Sequence, residues 1–307
     1  MGAGGTLDQV AVAGGTGLVG RHLAAFLAAG GTRVTLLSRA ERVAGLPEGV
    51  LLRPWRDLPG ALEGAGAVVN LCGEGIAGRR WSASRREALV ASRVGATERL
   101  VDALGALQTR PGALVNASAT GYYGPMDERP LDESAGPGTG FLAQLCRRWE
   151  AAADGAAACG VRVVKLRLGM VLARDGGALP RLALPARLGL GTRLGGGQQG
   201  ISWIHVDDLV RLIQEAAANP ACRGPVNATA PAPVTNEAFT RALCRRLGRP
   251  MLPVPGWLTA AALRLGLGEM GEAMLLQGNF VYPRAAERLG FQFRFPRVDQ
   301  ALADLLG

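Results

Sequence analysis

The chain has 307 residues, 48% of them hydrophobic and 5% aromatic, with a formal net charge of +9. That length buries a large core, as one extended α/β domain or as two domains, and no apolar run approaches the ~20 residues of a membrane-spanning helix. The basic excess does not describe a nucleic-acid groove: Lys165 is the only lysine, and the arginines are spread without dense runs or interleaved aromatics.

Met1-Gly2-Ala3-Gly4-Gly5-Thr6 fits a loose myristoylation pattern, although a disordered glycine-rich leader is the preferred reading. It has no basic region followed by an apolar run and cleavage site, so a secretory signal is not expected. Gln9-Val10-Ala11-Val12-Ala13 reads as a buried strand and Arg21 to Ala29 as a helix that stops at Gly30-Gly31. Between them stands Gly14-Gly15-Thr16-Gly17-Leu18-Val19-Gly20. A glycine turn between strand and helix lets a pyrophosphate approach the backbone and meet free N–H groups at the helix start. The context supports a dinucleotide site over a simple connecting turn.

Arg33 to Leu37 is the second strand and ends at Ser38-Arg39. Folds that bind NAD place an acid here for the ribose 2′-hydroxyl. A hydroxyl followed by a guanidinium instead suits a 2′-phosphate, which points to NADP(H); the plain alternative is that Arg39 is a surface charge. Val50 to Arg53 and Ala67 to Leu71 are further strands, the latter running into Cys72-Gly73-Glu74 at the cofactor side of the sheet. A long helix is predicted from Ser82 to Leu107, carrying Arg86, Arg93 and Arg99. After Pro111-Gly112 comes the strand Ala113 to Ser118. Strands alternating with helices in this way mean a parallel sheet with right-handed crossovers.

Gly121 to Gly140 reads as a loop over the site mouth, Phe141 to Ala158 as a helix and Val161 to Leu168 as a strand. Gly189 to Gly200 is glycine-rich without a strand-to-helix context, and is expected to be a mobile loop and no second phosphate cradle. Trp203 to Leu209 opens a helix whose first turn carries Asp207 and Asp208. Beyond Pro220, short helices are separated by prolines and glycines. The expected organisation is an NADP(H)-binding Rossmann core over residues 1–172, a doubly wound parallel sheet. A smaller, mixed substrate-side region would follow over residues 173–307, with residues 201–230 contributing back to the core.

Five dispersed cysteines (Cys72, Cys146, Cys159, Cys222, Cys244) imply reduced thiols and a cytoplasmic compartment. With only His22 and His205, a histidine-rich metal site is not expected, and the metal expectation is none.

Taken in order, these segments resemble the extended short-chain dehydrogenases/reductases, and more narrowly their atypical NAD(P)-dependent epimerase/dehydratase-like group, the SDR39U1-like epimerase family proteins. The resemblance rests on Gly14 to Gly20, Val34 to Arg39, Val69 to Glu74, Arg79-Arg80-Trp81, Ser92-Arg93 and Ala117 to Gly124. It continues through Trp149-Glu150, Arg167 to Leu172, Pro180 to Gly191, Trp203 to Asp208 and the Asn227 and Asn236 segments. It implies NADP(H) held by the glycine turn (Gly14, Gly15, Thr16, Gly17, Leu18, Val19, Gly20), Ser38, Arg39, Leu71, Cys72, Gly73, Arg93 and the backbone near Val171. For Arg93 a helix-surface arginine in ion pairs stays open as the alternative. Pairing of helices in related reductases gives a homodimer by analogy alone; neither a nucleic acid nor a membrane is an expected partner.

Active members of the wider superfamily use a tyrosine, with a lysine four residues later, beside a serine or threonine; the cation lowers the phenol pKa for proton exchange. The corresponding helix, Phe141 to Glu150, contains neither. Ser118 keeps the strand-end hydroxyl, with Thr120 beside it. Tyr122 or Tyr123 is the alternative phenol, and Arg167 or His205 a source of charge. For each a structural role is equally open: Ser118 bonding backbone, the tyrosines packing the site mouth, His205 capping the helix it begins. Two functions follow: an NADP(H)-dependent oxidoreductase or epimerase acting on a small polar substrate, or a non-catalytic NADP(H)-binding sensor or regulatory module.

Overall fold

The structure, a computed structural model, describes residues 7–125 and 129–307. The Met1–Thr6 leader lies outside the described residues, as do residues 126–128 of the loop predicted over the site mouth.

Seven strands form one parallel sheet in the order Gly224–Ala228, Arg162–Leu168, Ala113–Ala119, Ala67–Asn70, Gln9–Ala13, Arg33–Ser38, Val50–Pro54. Helices cover both faces, which is why the inner strands read as nearly continuous apolar runs. One face is closed by Leu18–Ala29 and Val206–Ala218 through Leu23, Leu27, Leu209, Leu212 and Ile213. The other is closed by Leu58–Leu62 and Ala96–Ala106 through Leu58, Leu62, Leu100 and Leu104. The winding reverses between Gln9–Ala13 and Ala67–Asn70, so the carboxyl ends of these two strands open the crevice.

Two glycines allow the turns at this switch point. Gly14 has φ +76°, and a Cβ there would stand 2.7 Å from the Leu71 carbonyl of the adjacent strand end. Gly20, one turn into the helix, lies against the turn itself: a Cβ would fall 2.5 Å from Gly15 Cα.

The helix predicted from Ser82 to Leu107 is instead two helices, Ala83–Val90 and Ala96–Ala106, joined by a wide π turn at Ala91–Gly95. Thr97 accounts for the local widening. Its hydroxyl donates to the Arg93 carbonyl (2.8 Å) and accepts from Asn70 Nδ2 (2.8 Å) and Trp149 Nε1 (3.0 Å). Such bulges re-aim side chains, and here the turn carries Arg93. The helix predicted from Phe141 to Ala158 runs over Gly140–Asp154 and tightens into a 3₁₀ turn, Gly155–Cys159. Trp203–His205 is a short strand paired with Met170–Leu172, so the helix opens only at Val206. His205 does cap it, Nδ1 accepting from the Asp207 N–H at 3.1 Å.

The segment after Met170 wraps a third core, in which Leu179, Trp203, Phe239, Leu243, Val298 and Leu302 meet. Carboxylates tie this region to the sheet. Buried Asp208 accepts the backbone N–H groups of Arg294 (2.8 Å) and Phe295 (2.9 Å), and Glu133 accepts those of Asn227 (3.0 Å) and Ala285 (3.1 Å). His205 Nε2 reaches Asp304 on the last helix at 3.2 Å, with its ring stacked on Phe295. The glycine-rich loop 189–200 is tethered in this framework: Gly191 O accepts from Leu252 N, Leu194 N donates to Asn236 and Gly195 N to Thr259. No helix among the described residues is long and apolar enough to cross a membrane.

Two outcomes follow from these contacts. Gly20→Ala should lower the unfolding free energy by about 1–3 kcal/mol. Gly75→Ala, whose Cβ would meet nothing within 4 Å, should change it by less than about 0.5 kcal/mol; urea melts compare the two. Burial holds the His205 pKa below its ordinary value, against the pull of Asp207 and Asp304. The unfolded chain therefore takes up the proton first as pH falls through about 6.5, and stability present above that pH is lost on acidification. His205→Asn, which keeps a capping acceptor and cannot ionise, should flatten the loss between pH 7 and pH 5.5 in the same melts.

Candidate functional site

A single cavity of about 1390 Å³ runs from the glycine turn across the strand ends into the C-terminal region. At its first end it is lined by Gly14, Gly17, Leu18 and Val19, with Leu71, Cys72 and Gly73 opposite. The helix that starts at Leu18 aims its unpaired first-turn N–H groups at this end, an arrangement suited to an anion. Gly15, Thr16 and Gly20 build the turn from behind, Gly15 against Leu36 and Gly20 against Gly15. Residues that could hold a dinucleotide are therefore present, and the space a Cβ would fill at Gly14 is occupied by the neighbouring strand end.

The second strand ends at Ser38 and Arg39 follows it; neither is among the residues that line the cavity. Ser38 is buried and its Oγ accepts from Ala40 N at 2.9 Å, while Arg39 is exposed. Arg39 is close enough for its charge to act on Cys72, whose thiol burial nevertheless pushes up to about 12. Arg93 lines the cavity next to Gly73. It is held by the carbonyls of Glu74 (2.9 Å) and Leu89 (3.3 Å), and stands 5.4 Å from the Trp149 ring. Val171 sits in the short strand Met170–Ala173, paired with Ile204; it does not line the cavity, although Met170 and Gly169 do.

Ser118 lines the same cavity from the end of strand Ala113–Ala119. Behind it is a buried polar cluster that spacing along the chain did not reveal. Ser118 Oγ donates to Glu150 Oε1 at 2.7 Å, and Arg167 holds the same carboxylate with two bonds, Nε to Oε1 (2.9 Å) and Nη2 to Oε2 (3.0 Å). Glu150 is 5% exposed and Arg167 3%. Burial works against the Arg167 charge, but Glu150 outweighs it and holds the guanidinium pKa above its ordinary value.

Tyr122 and Tyr123 complete the cluster from outside the cavity. The Arg167 guanidinium lies 3.5 Å from the Tyr122 ring centroid and donates to Tyr123 Oη at 3.0 Å. Tyr123, wholly buried, donates in turn to Asn227 Oδ1 at 2.7 Å, and burial raises its phenol pKa. Neither tyrosine lines the cavity, so the structure brings them to Arg167 and not to the open face of Ser118. That face is flanked by Cys146, one helical turn before Glu150. Burial, then the Glu150 charge, pushes its thiol up to about 12. Cys146 and Glu150 share one face of the helix at i, i+4, but neither was a candidate from the sequence, since only the contacts with Ser118 and Arg167 give them a role.

The part of the cavity lined by the C-terminal region, the chamber, is walled by Met170, Leu182, Ile201, Phe239, Leu243 and Met270, largely apolar. Arg86 pairs with Glu269, which lines the cavity, and so ties the helix Ala83–Val90 to the C-terminal region.

The family model for the NAD dependent epimerase/dehydratase family matches residues 10–227, and a domain of unknown function (DUF1731) matches residues 258–305. Among relatives, the epimerase family protein Mb2239 of Mycobacterium bovis is 44% identical over 298 residues, covering 95% of this chain and 96% of its own. The chloroplastic SDR39U1 homolog of Arabidopsis thaliana is 39% identical over 311 residues, covering 97% and 86%. Among solved structures, that of the human epimerase family protein SDR39U1 (isoform 2) with NADPH superposes with a TM-score of 0.87 at 34% identity, covering 97% of this chain and 98% of that one.

The buried pair behind Ser118 gives a stability test. Arg167→Met alone should cost about 3–5 kcal/mol, because it strands the Glu150 carboxylate out of water. The double variant Glu150→Leu/Arg167→Met should recover most of that loss, as guanidinium melts of the three proteins would show.

Proposed function

The chain belongs to the NAD dependent epimerase/dehydratase family, and we propose that it binds NADP(H) in the crevice and transforms a second ligand beside Ser118, as an oxidoreductase or epimerase. One observation carries this reading: the cavity over the glycine turn is continuous with a chamber formed by the C-terminal region, and Ser118 lines that same cavity. A module that only holds a dinucleotide has no use for the second compartment. The NADPH that accompanies human SDR39U1 in its crystal structure supports the choice of cofactor.

In this reading Gly14 to Gly20 and the helix start receive the pyrophosphate, and Ser38 with Arg39 receives the 2′-phosphate. Leu71, Cys72, Gly73 and Arg93 flank the ribose and nicotinamide side, near the backbone that leads to Val171. When bound, NADP(H) supplies or accepts hydride. The protein orients the second ligand against Ser118, and the apolar walls of the chamber keep water out.

A second reading, a non-catalytic NADP(H) sensor, is favoured by one observation. The helix Gly140–Asp154 contains no tyrosine and no lysine, and the carboxylate it offers at Glu150 is already held by Arg167. A spectrophotometric screen for cofactor turnover against carbonyl compounds, alcohols and nucleotide sugars, with Ser118→Ala as control, separates the two. Turnover lost in Ser118→Ala supports the enzyme; no turnover with cofactor firmly bound supports the sensor.

For the cofactor itself, NADPH should bind about ten- to a hundredfold more tightly than NADH, the range for hydrogen bonds to a charged group. Arg39→Ala should remove most of the difference. Calorimetry giving equal affinities for the two cofactors in the parent protein would refute the assignment.

A further inference from the structure

We infer that the chamber takes a ligand with an apolar body that presents a hydroxyl, and not a carbonyl, to Ser118. The inference rests on the reading of the chamber as the second-ligand site, and begins with the direction of one hydrogen bond. Both oxygens of Glu150 accept from Arg167, so the carboxylate has no proton to give and acts only as an acceptor. The 2.7 Å contact with Ser118 therefore has the serine as donor. A hydroxyl has one proton, and Ser118 has committed it to Glu150, on the side away from the cavity. What Ser118 turns toward the cavity is lone pair.

Neither Cys146 nor Tyr123 reverses this polarity, and Thr120, a separate hydroxyl lining the cavity two residues on, is unchanged in every variant of the test below. Cys146 is a hydrogen-bond neighbour of Ser118, and a thiol that stays protonated is a weak acceptor beside a carboxylate. The Tyr123 hydroxyl, which would be the alternative donor, is engaged by Asn227 Oδ1. At the Ser118 oxygen itself a ligand carbonyl would face an acceptor with no proton to offer, whereas a ligand hydroxyl would find a partner.

The body of the ligand is set by the walls. Phe239, Leu243, Ile201 and Met270 are among the chamber's apolar lining, and several of its polar groups are already engaged. The Gln199 amide donates to the Leu194 and Leu275 carbonyls, Asn236 Oδ1 accepts from Leu194 N, and Glu269 and Glu272 pair with Arg86 and Arg264. Arg181 also lines the cavity but is exposed to solvent. These groups are already committed, so they offer little to a polar ligand, and polar groups buried without partners are costly.

Cyclohexanol and cyclohexanone, equal in size and differing in this one polarity, are the probes. Each is titrated by ligand-observed NMR against the full chain, its Ser118→Ala variant and the double variant Glu150→Leu/Arg167→Met. The parent should bind the alcohol about three- to tenfold more tightly than the ketone, the value of one net hydrogen bond. Ser118→Ala should bring the ratio to about one. The double variant should also lower it, because Ser118 then has a free proton for the ketone. If the double variant fails to fold, the serine variant decides. A parent ratio of one or below, a ratio unchanged in Ser118→Ala, or no saturable binding of either probe would overturn the inference. NADPH affinity measured on the same samples keeps the readings apart: its absence would remove the cofactor assignment and leave the probe ratio to be judged on its own.

Discussion

A carboxylate taken almost wholly out of water constrains the centre of this molecule. Glu150 sits on a helix that packs beneath the strand ends, and an isolated charge there would be prohibitively expensive. Arg167 answers it from the neighbouring strand with a two-point grip. The guanidinium is then itself buried, and its remaining faces are taken up by the Tyr122 ring and the Tyr123 hydroxyl. Tyr123 passes the demand to Asn227 on the edge strand, and Asn227 passes it to the Tyr282 carbonyl in the C-terminal region. One buried charge thus specifies a chain of partners that crosses three strands and joins the two parts of the protein. Ser118 is the member of that chain that meets the cavity.

The same logic holds the C-terminal region in register. Asp208 and Glu133 each accept two backbone N–H groups from segments distant in sequence, and His205 clasps the last helix through Asp304. Contacts of this kind fix position more sharply than apolar packing does, because a shift of one residue leaves a charge unsatisfied. The chamber wall inherits that definition. Its apolar residues hang from elements whose backbones are fastened to the sheet, which explains how irregular short helices between prolines can still form a shaped cavity.

The parallel sheet was legible because both of its faces are covered: apolar runs such as Ala67 to Leu71 and the glycine turn after Ala13 admit few other structures. The crevice was legible for the same reason, since the turn and the strand ending at Cys72 are adjacent in any doubly wound sheet. The π turn at Ala91–Gly95 was not, because its cause is tertiary. Thr97 takes three hydrogen bonds, two of them from Asn70 and Trp149, residues that no local pattern links to it. Trp203–His205 looked like the first turn of a helix because its neighbour in the short sheet, Met170–Leu172, lies some 30 residues away in sequence. At the site, the strand-end hydroxyl at Ser118 was visible from its position, but the meaning of Tyr122 and Tyr123 was not. Two adjacent aromatics after a strand fit a site mouth as well as a buried cluster, and only the location of Arg167 decides between them. Cys146 and Glu150 were not legible at all, since a thiol and an acid on a helix signify nothing until Ser118 and Arg167 are seen to close around them.

The +9 net charge is best understood through the partners the arginines take. Arg162 donates to the carbonyls of Ala216, Ala217 and Cys222, closing the end of one helix against the sheet edge. Arg174 reaches the Asp304 carbonyl, Arg246 that of Ala303 and Arg93 those of Glu74 and Leu89. A guanidinium offers five donors on a plane and no acceptor, so it suits the unpaired carbonyls left at helix ends and in loops. Lysine has three donors but gathers them on one nitrogen and lacks this wide planar fork, and the one lysine present makes an ordinary pair with Asp154. Positive charge placed on neutral carbonyls has no acid to cancel it. The basic balance is then a by-product of how an arginine-rich chain fastens its loops, and carries no information about a ligand until an arginine such as Arg39, exposed just past the second strand and absent from these clasps, is considered on its own.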